Sequence, residues 1–271
     1  MNAFVYHFRF EFRTSIRNKA KLGVNYLLPL GLYAMMGLIM APIVPGFRET
    51  LIPAMAGIAI LAATTLSLPE PLVTAREAGV FRSYKIYGVP AFSILVIPAV
   101  TTVIHTLVAT AIICITAPLF FQAVLPANWP GFVITVLLMA FASAGLGVLM
   151  SVVSPSSQMA LLWSNIIFIP SMILSGMTGL PNSMLPTAIR KASRFLPATH
   201  GMNAFREISQ GLSADFNPVG SLVILMVSGI LSFMLAIYLF NWDWHNATRR
   251  GHPLFGLIAL LPYVVGMFLL S

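Results

Sequence analysis

The sequence predicts an all-α polytopic membrane protein, and three observations carry that reading. Of its 271 residues, 58% are hydrophobic and only 8% are charged, against roughly 45–50% and about 25% in an ordinary soluble domain. Apolar runs of about 20 residues recur along the whole length, each long enough to cross a hydrocarbon layer roughly 30 Å thick as a helix. The runs are continuously apolar. A membrane barrel, the other arrangement that satisfies every backbone hydrogen bond in lipid, alternates apolar with polar residues over about 10 positions.

The formal charge is +8, but the basic residues sit at the ends of the runs, where they meet headgroups and set orientation. That placement points to membrane lipids as partners and excludes nucleic acid. The single cysteine, Cys114, can form neither an intrachain disulfide nor a multi-cysteine metal site, and it reads as a small apolar residue within a span.

Residues 1–21 read as an amphipathic interfacial helix. Phe4, Val5, Phe8, Phe12 and Ile16 fall within about a third of a helical wheel, with Arg9, Arg13 and Arg17 along the adjoining edge. Such a helix lies in the surface of an anionic leaflet, as a topology anchor or as a partner-binding element. A six-span domain, 22–240, follows. Its first run, 22–45, is longer than a signal-peptide core and lacks a convincing cleavage site, so it stays attached. The remaining spans are 50–72, 92–121, 131–153, 158–176 and 218–240.

With the N-terminus inside, Arg9, Arg13, Arg17, Lys19, Lys21, Arg76, Arg82, Lys85, Arg249 and Arg250 are cytoplasmic, whereas Arg48, Arg190, Lys191, Arg194 and Arg206 lie outside. Ten against five supports that orientation. Residues 154–157 make a tight inner turn, and 122–130 a short outer one carrying an interfacial Trp129. In the outer connection, Pro181, Pro186, Pro197 and Pro218 punctuate two segments of helical spacing, predicting two short helices over about 182–212 at the outer face. Ser143 and Gly147, four apart, are placed for a close helix contact. The last segment, 241–271, holds a basic turn and an apolar tail at the lower limit for a span. A seventh crossing, ending outside, is preferred over a re-entrant or packed segment.

Chemistry is sparse. No lysine follows a glycine, so a P-loop is absent, and the chain shows no His-Glu-x-x-His pair and no Gly-x-Ser-x-Gly elbow. A catalytic role is therefore not expected. Near span centres the polar candidates for a pathway are His105 and Asn165, each of which also reads as a hydrogen-bonded helix contact. Glu70, between Pro69 and Pro71, precedes an island of charge and reads otherwise as a carboxylate paired with Arg76 or with the N-terminal helix.

That island is "TAREAGVFRSYKIYGVP", residues 74–90. It resembles the signature loop of type-two ABC transporter permeases, Glu-x-Glu-x-Gly-Thr-x-x-x-Leu ending near a proline. Ala75 stands at the first acidic position of that pattern, Val80 at its threonine, and Gly88 where a proline is frequent. In the family this segment is a cytoplasmic coupling helix that docks on the ATPase subunit. The resemblance implies a coupling set of Arg76, Glu77, Gly79, Phe81, Arg82, Tyr84 and Lys85. A second stretch, 168–206, resembles the family's run of Pro, Ser-Gly, Leu-Pro and Pro-x-Thr-His-x-x-x-x-x-Arg, through Pro170, Ser175, Gly176, Leu185, Pro186, Pro197, Thr199, His200 and Arg206. It implies gating or structural roles for Pro170, Ser175, Gly176, Pro197, His200 and Arg206, to which Glu70 is added.

By the same resemblance the chain is a multi-pass permease of the cytoplasmic (inner) membrane. It pairs with a second permease subunit and with ABC ATPase subunits, and ATP and magnesium are held there and not by this chain. The apolar span interiors suit export of a hydrophobic or amphipathic drug, antibiotic, lipid or peptide, with a lipid-linked glycan as the alternative substrate. A secondary transporter or a scaffold without an ATPase is the competing class. The sparse mid-membrane ionisable groups argue against the former and the family motifs against the latter.

Overall fold

Six helices in the computed structural model are long and apolar enough to cross a membrane. The structure describes residues 3–44, 46–179, 185–243 and 251–269. Pro181, Arg249, Arg250 and the start of the first expected outer helix lie outside them. In chain order the elements are α1 (Ala3–Arg17), α2 (Lys19–Ile43), α3 (Phe47–Glu77), α4 (Val80–Ile86), α5 (Ala91–Phe121), α6 (Trp129–Val153), α7 (Ser157–Leu174), α8 (Thr187–Ser193), α9 (Pro197–Ala204), α10 (Pro218–Leu239) and α11 (Pro253–Leu269). The described residues contain no strand. This is an all-α polytopic membrane protein.

The six long helices run alternately up and down, which gives the bundle two ends. The near end gathers α1, α4 and the 154–157 turn; the far end gathers the 122–128 loop, α8 and α9. At the centre stands α3. In its most apolar 18-residue window 94% of residues are buried, against 22% in α7, 28% in α2 and α10, and 39% in α5. Lipid is as apolar as a leucine side chain, so burial of α3 rests on close packing rather than on escape from water.

Small residues make that packing. Gly147 of α6 faces the carbonyl of Thr64 in α3 so closely that an added Cβ would lie 2.1 Å from the oxygen, while Gly145 abuts Ser232 and Gly229 of α10. The close helix contact expected at Ser143 and Gly147 is found at Gly147, as a junction with α3. Gly147→Ala is expected to lower the unfolding free energy by roughly 1–3 kcal/mol, the usual cost of overpacking, because the obstacle is backbone. Thermal unfolding in detergent checks this, and an unchanged midpoint would contradict the contact.

Two spans carry a widened helical turn just before a proline: Gly23–Leu27 before Pro29, and Ala62–Ser67 before Pro69. Proline offers no N–H, so in a straight helix Pro29, Pro69 and Pro71 would leave the carbonyls of Asn25, Thr65 and Ser67 without donors. The widened turns fall where the ladder is broken. They also explain why α3 continues to Glu77, where 50–72 was expected: Pro69 opens a fresh helical run at a first-turn position, which suits it.

The interfacial helix is turned from its expected face. Phe8 and Phe12 pack inward, with Phe12 stacked on His105 at 5.5 Å, but Val5 and Ile16 are exposed and His7, Glu11 and Ser15 take the inward positions. A partly buried ion pair decides the rotation. Lys21 Nζ donates to Glu11 Oε1 at 3.0 Å and ties α1 to the start of α2. The two helices expected at the outer face differ in depth: α8 is largely exposed, whereas every residue of α9 is buried among α3, α6, α7 and α10. Pro197 starts α9 as a first-turn proline.

Candidate functional site

The charged island folds into a short helix braced from behind. Two glycines with left-handed backbone bracket α4, Gly79 at φ 74° and Gly88 at φ 70°. At its end Gly88 N–H donates to Lys85 O at 3.1 Å and Val89 N–H to Tyr84 O at 3.0 Å, the paired bonds of a Schellman stop. The family's frequent proline would supply neither the positive φ nor the donor, so Gly88 fixes a different exit for this helix.

The inner side of α4 is filled by Phe81, 4% exposed, whose ring meets Phe240 at 5.6 Å and Tyr84 at 6.4 Å. Tyr84 in turn meets His7 of α1 edge-on at 5.5 Å. Arg82 Nη2 donates to Asp243 Oδ1 at 2.6 Å, tying α4 to the chain just past α10. The opposite side presents Ser83, Lys85, Ile86 and Tyr87. Ile86 and Tyr87 are each 83% exposed, the highest values among large apolar side chains of the described residues.

Arg76 and Glu77, expected in the coupling set with Arg82 and Lys85, belong to the end of α3, where Arg76 faces inward and Glu77 stays exposed. Arg76 is buried, and its guanidinium donates to the carbonyls of Val152 at 2.9 Å and Ser154 at 2.5 Å. Glu77 Oε1 accepts from Ser157 N–H at 3.2 Å. A cation thus sits on the carbonyl end of α6 and an anion on the amide end of α7, each in the favourable sense of the helix dipole. The two residues clamp the tight turn between those helices. Glu70 pairs with neither Arg76 nor α1; its Oε1 accepts from Thr74 Oγ1 at 2.8 Å, one turn along its own helix.

Behind α4 lies a cavity of about 110 Å³ lined by His7, Glu11, Lys21, Tyr84 and the apolar flanks of α3 and α5. Burial pushes the His7 imidazole below its ordinary range, with Glu11 pulling weakly the other way. Burial, reinforced by Glu11, pushes the Tyr84 phenol up.

The second motif is a framework at the far end. Ser175 closes α7 after Pro170, and Gly176, at φ 81°, turns the chain. That turn drives Met177 into the core against Gly57 of α3. After the Pro197 start of α9, Thr199 Oγ1 donates to Ser193 O at 2.6 Å and His200 Nε2 to Arg194 O at 2.7 Å, so both hold the end of α8. His200 is fully buried between the rings of Phe216 and Tyr263. Burial pushes its imidazole down to about 4, against the pull of the Arg194 carbonyl and with a smaller contribution from the Arg194 charge. Arg206 Nε donates to Ser213 O at 3.2 Å. Asn203, absent from the expected set, is the busiest polar residue here: its amide donates to Phe216 O and Ser221 Oγ, and its oxygen accepts from the N–H groups of Asp215 and Phe216. An asparagine three residues after the Thr-His pair was the available signal.

The pathway candidates are not brought together. His105 is buried, sharing a 2.7 Å hydrogen bond with the Tyr26 hydroxyl and stacked under Phe12. Asn165 lies on the exposed flank of α7, its amide donating to Leu161 O of the same helix at 2.8 Å.

Fold and near-end junction together define a polytopic helical membrane protein with one braced, outward-facing short helix. The chain matches the family model of the ABC-2 type transporter over residues 2–209, more than three-quarters of its length. It belongs to that family, as the membrane-spanning permease subunit of an ABC transporter with an ATPase partner. Among curated proteins none matches the chain.

Proposed function

We propose that this permease is the membrane half of an ATP-driven exporter and that α4 is its coupling helix, seated in a groove on a separate ATPase subunit that holds ATP and magnesium. The carrying observation is the division of α4 into a locked side and an open apolar tip: Phe81 and Tyr84 face the bundle and Arg82 is tied to Asp243, while Ile86 and Tyr87 stand 83% exposed beside Lys85. A side chain that projects so far gains little unless a partner covers it. Gly79 sets the angle of the helix, and Arg76 and Glu77 hold its root.

Charge supports a cytoplasmic near end in the inner membrane, with the N-terminus inside. Among the described residues Arg9, Arg13, Arg17, Lys19, Lys21, Arg76, Arg82 and Lys85 lie there, against five basic residues at the far end. A second permease subunit completes the pathway. We assign the flank of α7 that carries Asn165 to it, because an amide oxygen facing lipid would lack a donor. A hydrophobic or amphipathic substrate fits the membrane-facing surface, where a groove of about 570 Å³ between α5, α6 and α10 is lined by apolar side chains such as Phe92, Val100, Phe141 and Phe233. Outward transport follows from the resemblance of the coupling segment.

The test is co-purification with the ABC ATPase from detergent. Ile86→Asp combined with Tyr87→Asp is expected to reduce the retained ATPase at least tenfold while leaving the thermal midpoint of the permease unchanged. Full retention would remove the docking role from α4, and a wild-type permease that retains no ATPase would favour a transporter or scaffold working without one.

A further inference from the structure

We propose that α11 is a seventh transmembrane crossing, which carries Leu269 to the far end of the bundle and closes the His200 framework. Its path is antiparallel to α10. Gly251 abuts Leu239 and Tyr238 at the near end, the carbonyl of Ala259 accepts from Ser228 Oγ at 3.3 Å midway, and Gly266 abuts Ile224 and His200 beyond. Continued at that register, Leu269 comes level with the first turn of α10.

Length is the apparent obstacle, since 17 residues of ordinary helix cover only ~26 Å at ~1.5 Å each. The first eight, Pro253–Leu260, form the tighter three-residue helix, which rises ~2.0 Å per residue and covers ~16 Å. The nine of Leu261–Leu269 add ~14 Å at the ordinary rise. The total, ~30 Å, equals the thickness of the hydrocarbon layer. The segment is two-faced in the way a span at the edge of a bundle requires. Ala259, Tyr263 and Gly266 are buried against α9 and α10, whereas Leu257, Leu261, Val265 and Phe268 are exposed. No residue from 253 to 269 is charged, so the exposed side meets lipid at no cost in buried charge. Seven crossings leave α1 and Leu269 on opposite faces.

Cysteine accessibility in sealed vesicles tests this. In a Cys114→Ser background, single cysteines are placed by Ser83→Cys in α4, Ala127→Cys in the far-end loop, and Ser271→Cys. A membrane-impermeant maleimide is applied before and after permeabilisation. Ser271→Cys is expected to label with Ala127→Cys and oppositely to Ser83→Cys. If it labels with Ser83→Cys, or stays unlabelled after permeabilisation, the crossing is wrong and the segment is re-entrant or packed. The comparison needs neither an ATPase nor a knowledge of which face is cytoplasmic, so it stands apart from the transport reading.

Discussion

Arg76→Leu is expected to lower the unfolding free energy of the solubilised permease by roughly 2–4 kcal/mol. Leucine keeps the apolar stem but removes the donors to Val152 and Ser154. A hydrogen bond from a charged donor is worth roughly 1.5–3 kcal/mol. Removal of the guanidinium also relieves its own desolvation, which holds the loss below twice that figure. Arg76→Lys, a point charge without the planar fork, should fall between the two. Thermal unfolding gives the order, and hydrogen exchange at residues 154–157 gives the place: protection of that turn should drop in the leucine variant. A leucine variant with wild-type stability and protection would show that the end of α6 does not depend on Arg76.

Acid should destabilise the far-end framework through His200. Its folded-state value, about 4, lies below the ordinary 6.5, so the unfolded chain binds a proton that the folded one refuses. The stability it supports is fully present above about pH 6.5, declines as the pH falls toward 4, and is level below that. A gap of that size corresponds to about 3 kcal/mol. His200→Gln retains an amide donor for the Arg194 carbonyl and cannot titrate. Its melting temperature should vary less between pH 7 and 4.5 than that of the wild type, and parallel pH profiles for the two proteins would remove His200 as the cause.

The spans were legible because one-dimensional apolar runs determine them. All six were expected within a few residues except at the end of α3, which was expected at 72 and continues to Glu77 because Pro69 starts a new helical run. The short helix was expected over about 74–90 through the resemblance alone, and the structure confines it to Val80–Ile86, between Gly79 and Gly88. Which of its charges face outward was not legible. The partners of Arg76, Glu77 and Arg82 lie 76 to 161 residues away, and nothing local distinguishes a basic residue that caps a distant helix from one that awaits a partner. The depth of α9 was hidden as well: Thr199, His200 and Asn203 bond to Ser193, Arg194 and Phe216, only 6 to 13 residues away, but the helices that bury them, α3 and α6, are remote in the chain. Ile86 and Tyr87 were missed for the opposite reason: in a sequence so rich in apolar residues, two more carry no signal.

The bracing of α4 has a mechanical consequence. The chain joins it to α3 and α5, the Arg76 and Glu77 clamp joins its root to α6 and α7, and Arg82 with Phe81 joins it to the end of α10. Five long helices thus meet at one stiff node, and a thrust on Ile86 and Tyr87 is shared among them instead of bending any one. Such a frame swings as a piece or stays still. The hydrogen-bond ladder is loosened deeper in the bundle, at Gly23–Leu27 and Ala62–Ser67, which face each other across α2 and α3, so a frame that moved as one piece would bend there first.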